Sequence, residues 1–513
     1  MIRIPGLGAA DPEKGHRRKV KQSQALAILS SGVPVFLTGA PGSGKTYVLN
    51  EFVDQARAQG LTVAMTASTG IAATHINGQT IHAWSGVGLD TVLTPEVLKR
   101  IKTRRRKAIK ATDVLVIDEV SMIHAWLLDM VDEACRAIKR SDQPFGGIQV
   151  VMSGDLYQLP PVSKARTNAD LVNAGLAYTN SRQRYAALGK DPEGYVTEAL
   201  CWEVLDPVVC YLTEQHRQDD SQLLTVLSNI RSGQVSQDDC DLLTTRVGLL
   251  PKEGEATVHL FPMNKTADTL NMAKLAQINQ EEHVFMATEA GAAPLVDRLK
   301  KNMLAPQRLV LKVGATVMAL RNDPERQYVN GSLGTVAGFL PGRKGGYPQV
   351  KFDNGHLVTM APAAWETLDG EMVLASVNQV PLRLAWGITI HKSQGMTLDR
   401  AVMDLRRTFA PGMGYVALSR VENLEGLYLT GISNRAFLVS QQAIMGDSDL
   451  RRASEAAAAI LEKEGAASFR IQGEKQAQVG KGGRSSGRLA GQVADSDLDS
   501  ESVSDEFGQG QLF

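Results

Sequence analysis

Eight residues, Gly39, Ala40, Pro41, Gly42, Ser43, Gly44, Lys45 and Thr46, set glycines, a lysine and a hydroxyl at the spacing GxxxxGK[ST]. That spacing suits a polyphosphate. Without a Cβ at Gly39, Gly42 and Gly44 the backbone turns tightly and aims its N–H groups at an anion. A helix starting near Gly44 adds its positive end. Lys45 reaches the β- and γ-phosphates, and the Thr46 hydroxyl holds Mg²⁺. The bare pattern also arises by chance. Here it lies between an apolar strand, VPVFLTG, and a helix, TYVLNEFVDQARAQG, the context the motif requires.

A second set follows about 70 residues later in VLVIDE. A strand-end carboxylate, Asp118, suits Mg²⁺, often through water, and Glu119 can take a proton from attacking water. Any buried strand can end in acids, so the pair gains meaning from the phosphate loop before it. In SGDLYQLPPV (153–162), Gln158 is a neutral amide able to meet a γ-phosphate and a water. The other reading is a turn that Pro160 and Pro161 impose. Arg217 in LTEQHRQ and Arg420 in YVALSRVENL are candidates for stabilising charge on a transferring phosphoryl group; a lone arginine is ordinarily a surface or ion-paired side chain. TIHKSQGMTL (389–398) offers donors for phosphate oxygens and ribose. TASTG with TIHAWSG offers a similar set, including His82 and Trp84, which either stacks a base or packs in a core.

These groups need a scaffold at strand ends. Apolar strands over 35–39, 61–69, 111–119 and 148–155 alternate with helices, one with apolar spacing at Leu127, Val131, Ala134 and Ile138. The alternation predicts a parallel, doubly wound α/β sheet with its ligand site at the carboxyl ends of the strands, where Asp118, Glu119 and Asp155 fall. A second α/β region starts near 257–271 and resumes at VPLRLAWGITIHKSQG. Between them, over 312–374, short strands with Gly and Asn turns predict a small β-barrel. The polar stretch 162–200 reads as an insertion. From about residue 465 the chain becomes Gly-, Ser- and Gln-rich, then acidic, as a disordered tail does. The run KRIKTRRRKAIK (99–110) is a solvated helix face, a nuclear signal or a nucleic-acid contact.

Composition sets limits. The 513 residues carry 55 Lys and Arg against 55 Asp and Glu, so any nucleic-acid contact depends on a local basic stripe. The 4 cysteines lack CxxC spacing, which argues against a zinc site or a disulfide framework. No apolar run is long enough for a membrane span, and the N-terminus lacks an apolar signal region.

In this order, GAPGSGKT, TASTGIAATHINGQTIHAWSG, VLVIDEVSM, PFGGIQVVMSGDLYQLPPV, LTEQHRQ, ITIHKSQGMTLD and YVALSRVENLEGLYLTG resemble the motifs of superfamily 1 DNA helicases. The resemblance is strongest to the petite-integration-frequency (Pif) family of the RecD-like branch, and 121–145 resembles that family's signature region. It implies two RecA-like domains, over 18–215 and over 216–311 with 375–445. It also implies a wedge insertion at 86–110, an SH3-like insertion at 312–374, an N-terminal arm at 1–17 and a largely disordered extension at 446–513. By the same resemblance Gln22 reads adenine, with Gln24 a competitor; residues from Gly39 to Tyr47 hold ATP; and Thr46 and Asp118 hold Mg²⁺. Lys45, Glu119, Gln158, Arg217 and Arg420 are catalytic, and Thr69, His82, His391, Lys392, Ser393 and Gln394 contact DNA. Trp386 stands where the family commonly has tyrosine. The implied activity is ATP-driven 5′→3′ translocation on single-stranded DNA with duplex unwinding, in replication, repair or recombination. The implied partners are single-stranded DNA, duplex junctions and, through the tail, a single-strand-binding or replisome protein. The implied location is nucleoid-associated cytoplasm, a virus-infected cell or a nucleus. Two rivals are a DNA-stimulated ATP switch and a subunit of a recombination or nuclease complex.

Overall fold

The computed structural model describes residues 20–469 except 89, 162–180, 215–220, 253–256, 304, 322, 324, 326, 329–330, 343–345 and 370–371. The expected arm at 1–17, Arg217, much of the insertion after Val162 and the tail from 470 therefore lie outside the described residues.

Six strands form the first sheet: β1 (Val35–Gly39), β2 (Val63–Ala67), β3 (Gln79–Thr80), β4 (Val114–Asp118), β5 (Gln149–Gly154) and β6 (Val208–Leu212). All pair in parallel, in the order β3-β2-β4-β5-β1-β6. The strands are near-continuously apolar because both faces are covered. Successive side chains leave a strand on opposite sides. Phe36, Leu115 and Ile117 thus enter one core, and Val35, Leu37, Val114 and Val116 enter the other. The register sets Ala67 beside Asp118 and Leu37 beside Ser153, gathering the carboxyl ends at one edge.

The signature segment forms the helix Ala125–Lys139 and a turn in which Phe145 is fully buried at φ 52°. The Asp132 carboxylate holds that turn by accepting the Phe145 N–H at 2.6 Å. The basic run becomes two helices, Pro95–Arg104 and Arg106–Ala111. Val97, Ile101 and Ile109 anchor them to the core, while Lys99, Lys102, Arg104, Arg106, Lys107 and Lys110 face solvent.

The next strand, β7 (Val258–Phe261), opens the second domain. Ten strands follow it: β8 (His283–Met286), β9 (Thr288–Gly291), β10 (Arg308–Leu311), β11 (Thr316–Ala319), β12 (Leu333–Phe339), β13 (Pro348–Phe352), β14 (Leu357–Thr359), β15 (Ala363–Asp369), β16 (Met372–Gln379) and β17 (Leu382–Leu384). These build antiparallel sheets β14-β13-β12-β11-β17, β15-β16-β9 and β10-β8, with Val317, Val336, Val350, Phe352 and Leu382 in one core. The antiparallel region therefore runs from 283 to 384 and exceeds the expected 312–374. Two long-range pairings extend it, Val317 with Leu384 and Gly291 with Ala375, and no local pattern announces such partners. The domain closes with β18 (Gly387–Thr389), β19 (Ala401–Leu405) and β20 (Leu427–Ile432), in the parallel order β18-β7-β19-β20.

The C-terminal side differs from expectation as well. Residues beyond 446 continue the helix Gln441–Glu464. Its Ala457 and Ala458, with Phe469 beyond it, pack in the first domain's core against Val20, Ala25 and Leu29. The composition change near 465 coincides with the end of this helix at Glu464, whereas the boundary at 446, implied by the resemblance, falls inside it. Among the described residues no helix is long and apolar enough to cross a membrane.

Candidate nucleotide site and nucleic-acid contacts

The phosphate loop connects β1 to the helix Lys45–Ala58. Gly42 and Gly44 take φ of 81° and 85°, a region other residues enter only at a cost. A Cβ at Gly39 would lie 2.5 Å from the Leu212 carbonyl oxygen. The loop's Ser43 Oγ is buried with no hydrogen-bond partner. The Lys45 ammonium donates to the Gly39 and Ala40 carbonyls at 2.9 and 3.0 Å. Burial lowers its pKa, and the nearby carboxylates Asp155 and Glu119 oppose that shift. Thr46 and Tyr47 are exposed on the first helical turn.

The structure separates the two glutamines. Gln22 donates to the Ser43 carbonyl at 3.3 Å, and its amide lies so close to Gly44 that a Cβ there would meet it at 2.0 Å. Gln24 instead accepts the Lys21 N–H at 2.9 Å and donates to Glu462 of the C-terminal helix.

Asp118 ends β4 and Glu119 follows in the left-handed conformation, φ 52° and ψ 47°. For a residue with a Cβ that conformation costs about 1–2 kcal/mol. Burial and the adjacent Asp118 push the Glu119 carboxyl up to about 7, while Lys45, Arg420 and the Gln394 amide pull it back. Gln158 is buried in the loop after β5.

The second domain meets these groups directly. The Gln394 Nε2 donates to Glu119 Oε2 and to Gln158 Oε1, both at 3.1 Å. Gly412, at φ 79°, comes so near the loop after β5 that a Cβ would lie 2.4 Å from the Gln158 carbonyl oxygen. Arg420 is buried and donates to the Val416, Ser393 and Met396 carbonyls at 2.8, 3.3 and 3.0 Å.

Sequence reasoning missed a buried cluster beside this cleft. The Arg231 Nη1 donates to both Asp155 oxygens at 2.7 and 2.8 Å and to Tyr415 Oη at 3.0 Å; its Nη2 donates to Tyr211 Oη at 2.8 Å. Arg451 of the C-terminal helix also donates to Tyr211 Oη, at 2.7 Å, and Tyr211 donates to Asp447 at 2.7 Å. Ala40, Pro41, Tyr211, Arg231, Tyr415 and Arg451 line a cavity of about 350 Å³. The available signal was Asp155 at a strand end. Arg231 carried none, since it follows Ile230 on an ordinary amphipathic helix, Ser221–Ser232.

The expected DNA contacts divide. Thr69 caps the helix Gly70–His75, accepting the Ala72 N–H, and His82 is half-buried. Trp84 is 2% exposed and packs in the core, which settles its two readings in favour of packing. His391 and Lys392 are half-buried on the turn Ile390–Ser393; Lys392 donates to Asn264, and the exposed Phe409 ring stacks on His391. Ser393 and Gln394 depart from the expectation. The tight turn sends the Ser393 hydroxyl inward to the Ile390 carbonyl at 2.8 Å, and Gln394 enters the nucleotide cleft.

A phosphate loop, a strand-end Asp-Glu pair and a second parallel sheet beside them define a two-domain P-loop nucleoside triphosphatase. The family model described as PIF1-like helicase matches residues 16–189, and that for the 2B domain of DNA helicase Pif1 matches 294–339. The chain is 35% identical to the ATP-dependent DNA helicase Pif1 of Psychrobacter sp., covering 87% of this chain and 73% of that one. It is 33% identical to the Pif1 of Bdellovibrio bacteriovorus, covering 83% and 90%. The crystal structure of Candida albicans Pif1 is similar at TM-score 0.72 and 33% identity, covering 84% and 98%. Bacteroides Pif1 bound to single-stranded DNA is similar at TM-score 0.62 and 30% identity, covering 85% and 96%. The chain belongs to the Pif1-like helicase family.

Proposed function

We propose that the protein is an ATP-dependent DNA helicase that moves 5′→3′ along single-stranded DNA and opens duplexes. One observation carries the reading: Lys45, Glu119 and Gln158 of one parallel sheet face Gln394, Gly412 and Arg420 of the other. A catalytic cleft shared between two sheets lets hydrolysis change how the domains sit on a strand held across both.

The loop fits ATP and Mg²⁺. Its glycines suit a cradle for an anion, Ser43 Oγ lacks a partner, and Thr46 is exposed on the first helical turn. Thr46 and Asp118 would hold Mg²⁺, which would supply charge neutralisation on the polyphosphate. Lys45 exchanges its two carbonyl acceptors for phosphate oxygens. Glu119 accepts a proton from the attacking water, and Gln158 orients that water. Arg217 and Arg420 stabilise the charge that develops on the γ-phosphate. Gln22, against Ser43 and Gly44, reads the base.

Thr69, His82, His391 and Lys392 would grip the backbone, giving little sequence preference and a marked salt dependence. Opening a base-pair step costs on the order of 1.4 kcal/mol, well within the reach of one ATP. The described relatives include Bacteroides Pif1 bound to single-stranded DNA and a structure of two Pif1 helicases on forked duplex DNA, which supports the same substrates here. We assign the acidic tail to a single-strand-binding or replisome partner, the work to replication, repair or recombination, and the location to the compartment that holds the DNA. Lys45→Ala tests the core claim: DNA-stimulated ATP hydrolysis should vanish with the melting temperature kept, and normal turnover would sink the assignment.

A further inference from the structure

Glu119 Oε2 and Gln158 Oε1 are the two acceptors that a hydrolytic water needs, one as its base and one as its orienting partner. In this structure the Gln394 Nε2 occupies the point between them, 3.1 Å from each. A primary amide presents two N–H donors in a fork, so it satisfies both acceptors as one water would. The Glu119 carboxylate sets its orientation by accepting from Nε2, and Gln158 turns its own Oε1 to the same nitrogen. The consequence is that Gln394 Oε1 is buried with no hydrogen bond. A buried acceptor left unpaired makes a pose easier to displace.

The backbone joins this side chain to the DNA side of the protein. Gln394 follows the turn Ile390–Ser393, which carries His391 and Lys392 outward. Arg420 ties the same turn to the cleft through the Ser393 and Met396 carbonyls. A pull on His391 and Lys392 thus acts on the residue next in the chain.

We propose that Gln394 is a positioning residue that fills the attacking-water position while DNA is absent and withdraws when DNA engages the turn. It would make ATP turnover depend on DNA without touching either substrate in the resting form. The proposal rests on Glu119 and Gln158 acting on water as described above. The two ideas fail separately, because hydrolysis retained in Glu119→Gln would overturn that chemistry, whereas the Gln394 variants test its control.

The experiment is steady-state ATP hydrolysis by the full chain, with and without a saturating oligothymidylate, for Gln394→Ala and for the gentler Gln394→Asn, too short to span both acceptors. One lost hydrogen bond changes a population by about fivefold and two by about twenty-five-fold, so removing both should raise DNA-free turnover by roughly five- to twenty-five-fold. The DNA-saturated rate should not rise, so the stimulation ratio should fall. Oligothymidylate affinity by fluorescence anisotropy should stay within about twofold, because the backbone contacts on the turn remain. A merely structural role would lower both rates together. An unchanged stimulation ratio, or a DNA-free rate that stays level or drops in the folded Asn variant, would overturn the proposal.

Discussion

The buried pair between Arg231 and Asp155 offers a quantitative test of how the cleft is held. Asp155 is fully buried, and Arg231 is 7% exposed and donates to both of its oxygens. Replacing Arg231 with methionine keeps much of the side-chain volume but leaves a carboxylate with Tyr415 Oη and the Tyr157 N–H as its remaining hydrogen-bond donors, at 3.1 and 3.2 Å. Removing one partner of a buried pair costs about 3–5 kcal/mol, mostly as desolvation of the charge left behind. Tyr211 Oη keeps Arg451 and Asp447 as partners, so little further loss is expected there. Arg231→Met should therefore lower stability by about 3–5 kcal/mol. Adding Asp155→Asn should recover at least about 1 kcal/mol of it, since the orphaned charge disappears. Urea unfolding of both single variants and the double variant closes the cycle. A cost for Arg231→Met below about 1 kcal/mol, or no coupling between the sites, would refute the view that this buried pair stabilises the region beside the cleft.

Two further predictions address the site. Gly412→Ala puts a methyl 2.4 Å from the Gln158 carbonyl oxygen at a φ of 79°, so DNA-stimulated turnover should fall by about tenfold or more while nucleotide binding measured with a fluorescent ATP analogue persists. Burial, with Arg383 nearby, holds the Lys392 pKa down to about 8. A DNA phosphate favours the charged form, so binding takes up a proton above that pH, and affinity for single-stranded DNA should drop about tenfold between pH 7 and 9. Calorimetry in two buffers of different ionisation enthalpy reads the uptake, and Lys392→Gln should abolish it.

The phosphate loop and VLVIDE were legible because each is local. A few consecutive residues set both the backbone conformation and the chemistry, and strand alternation supplied the sheet around them. Gln22 and Gln24 could not be separated in the same way. Both lie on the helix Gln22–Ser30, and only its packing sends one amide to Ser43 and the other to Glu462. Gln394 was grouped with the DNA contacts by the resemblance, whereas after the turn Ile390–Ser393 its side chain enters the nucleotide cleft. Arg231 was invisible because its partners lie 20, 76 and 184 residues away. The edges of the antiparallel region depend on pairings of the same kind, such as Val317 with Leu384.

The central claim, that this cleft drives directional strand separation, is most directly tested by strand displacement with ATP and Mg²⁺. Two partial duplexes suffice, one with a 5′ single-stranded tail and one with a 3′ tail. The 5′-tailed substrate alone should be unwound, and neither substrate should be with Lys45→Ala. Unwinding from the 3′ tail, or none from either tail while DNA-stimulated ATP hydrolysis remains intact, would contradict it.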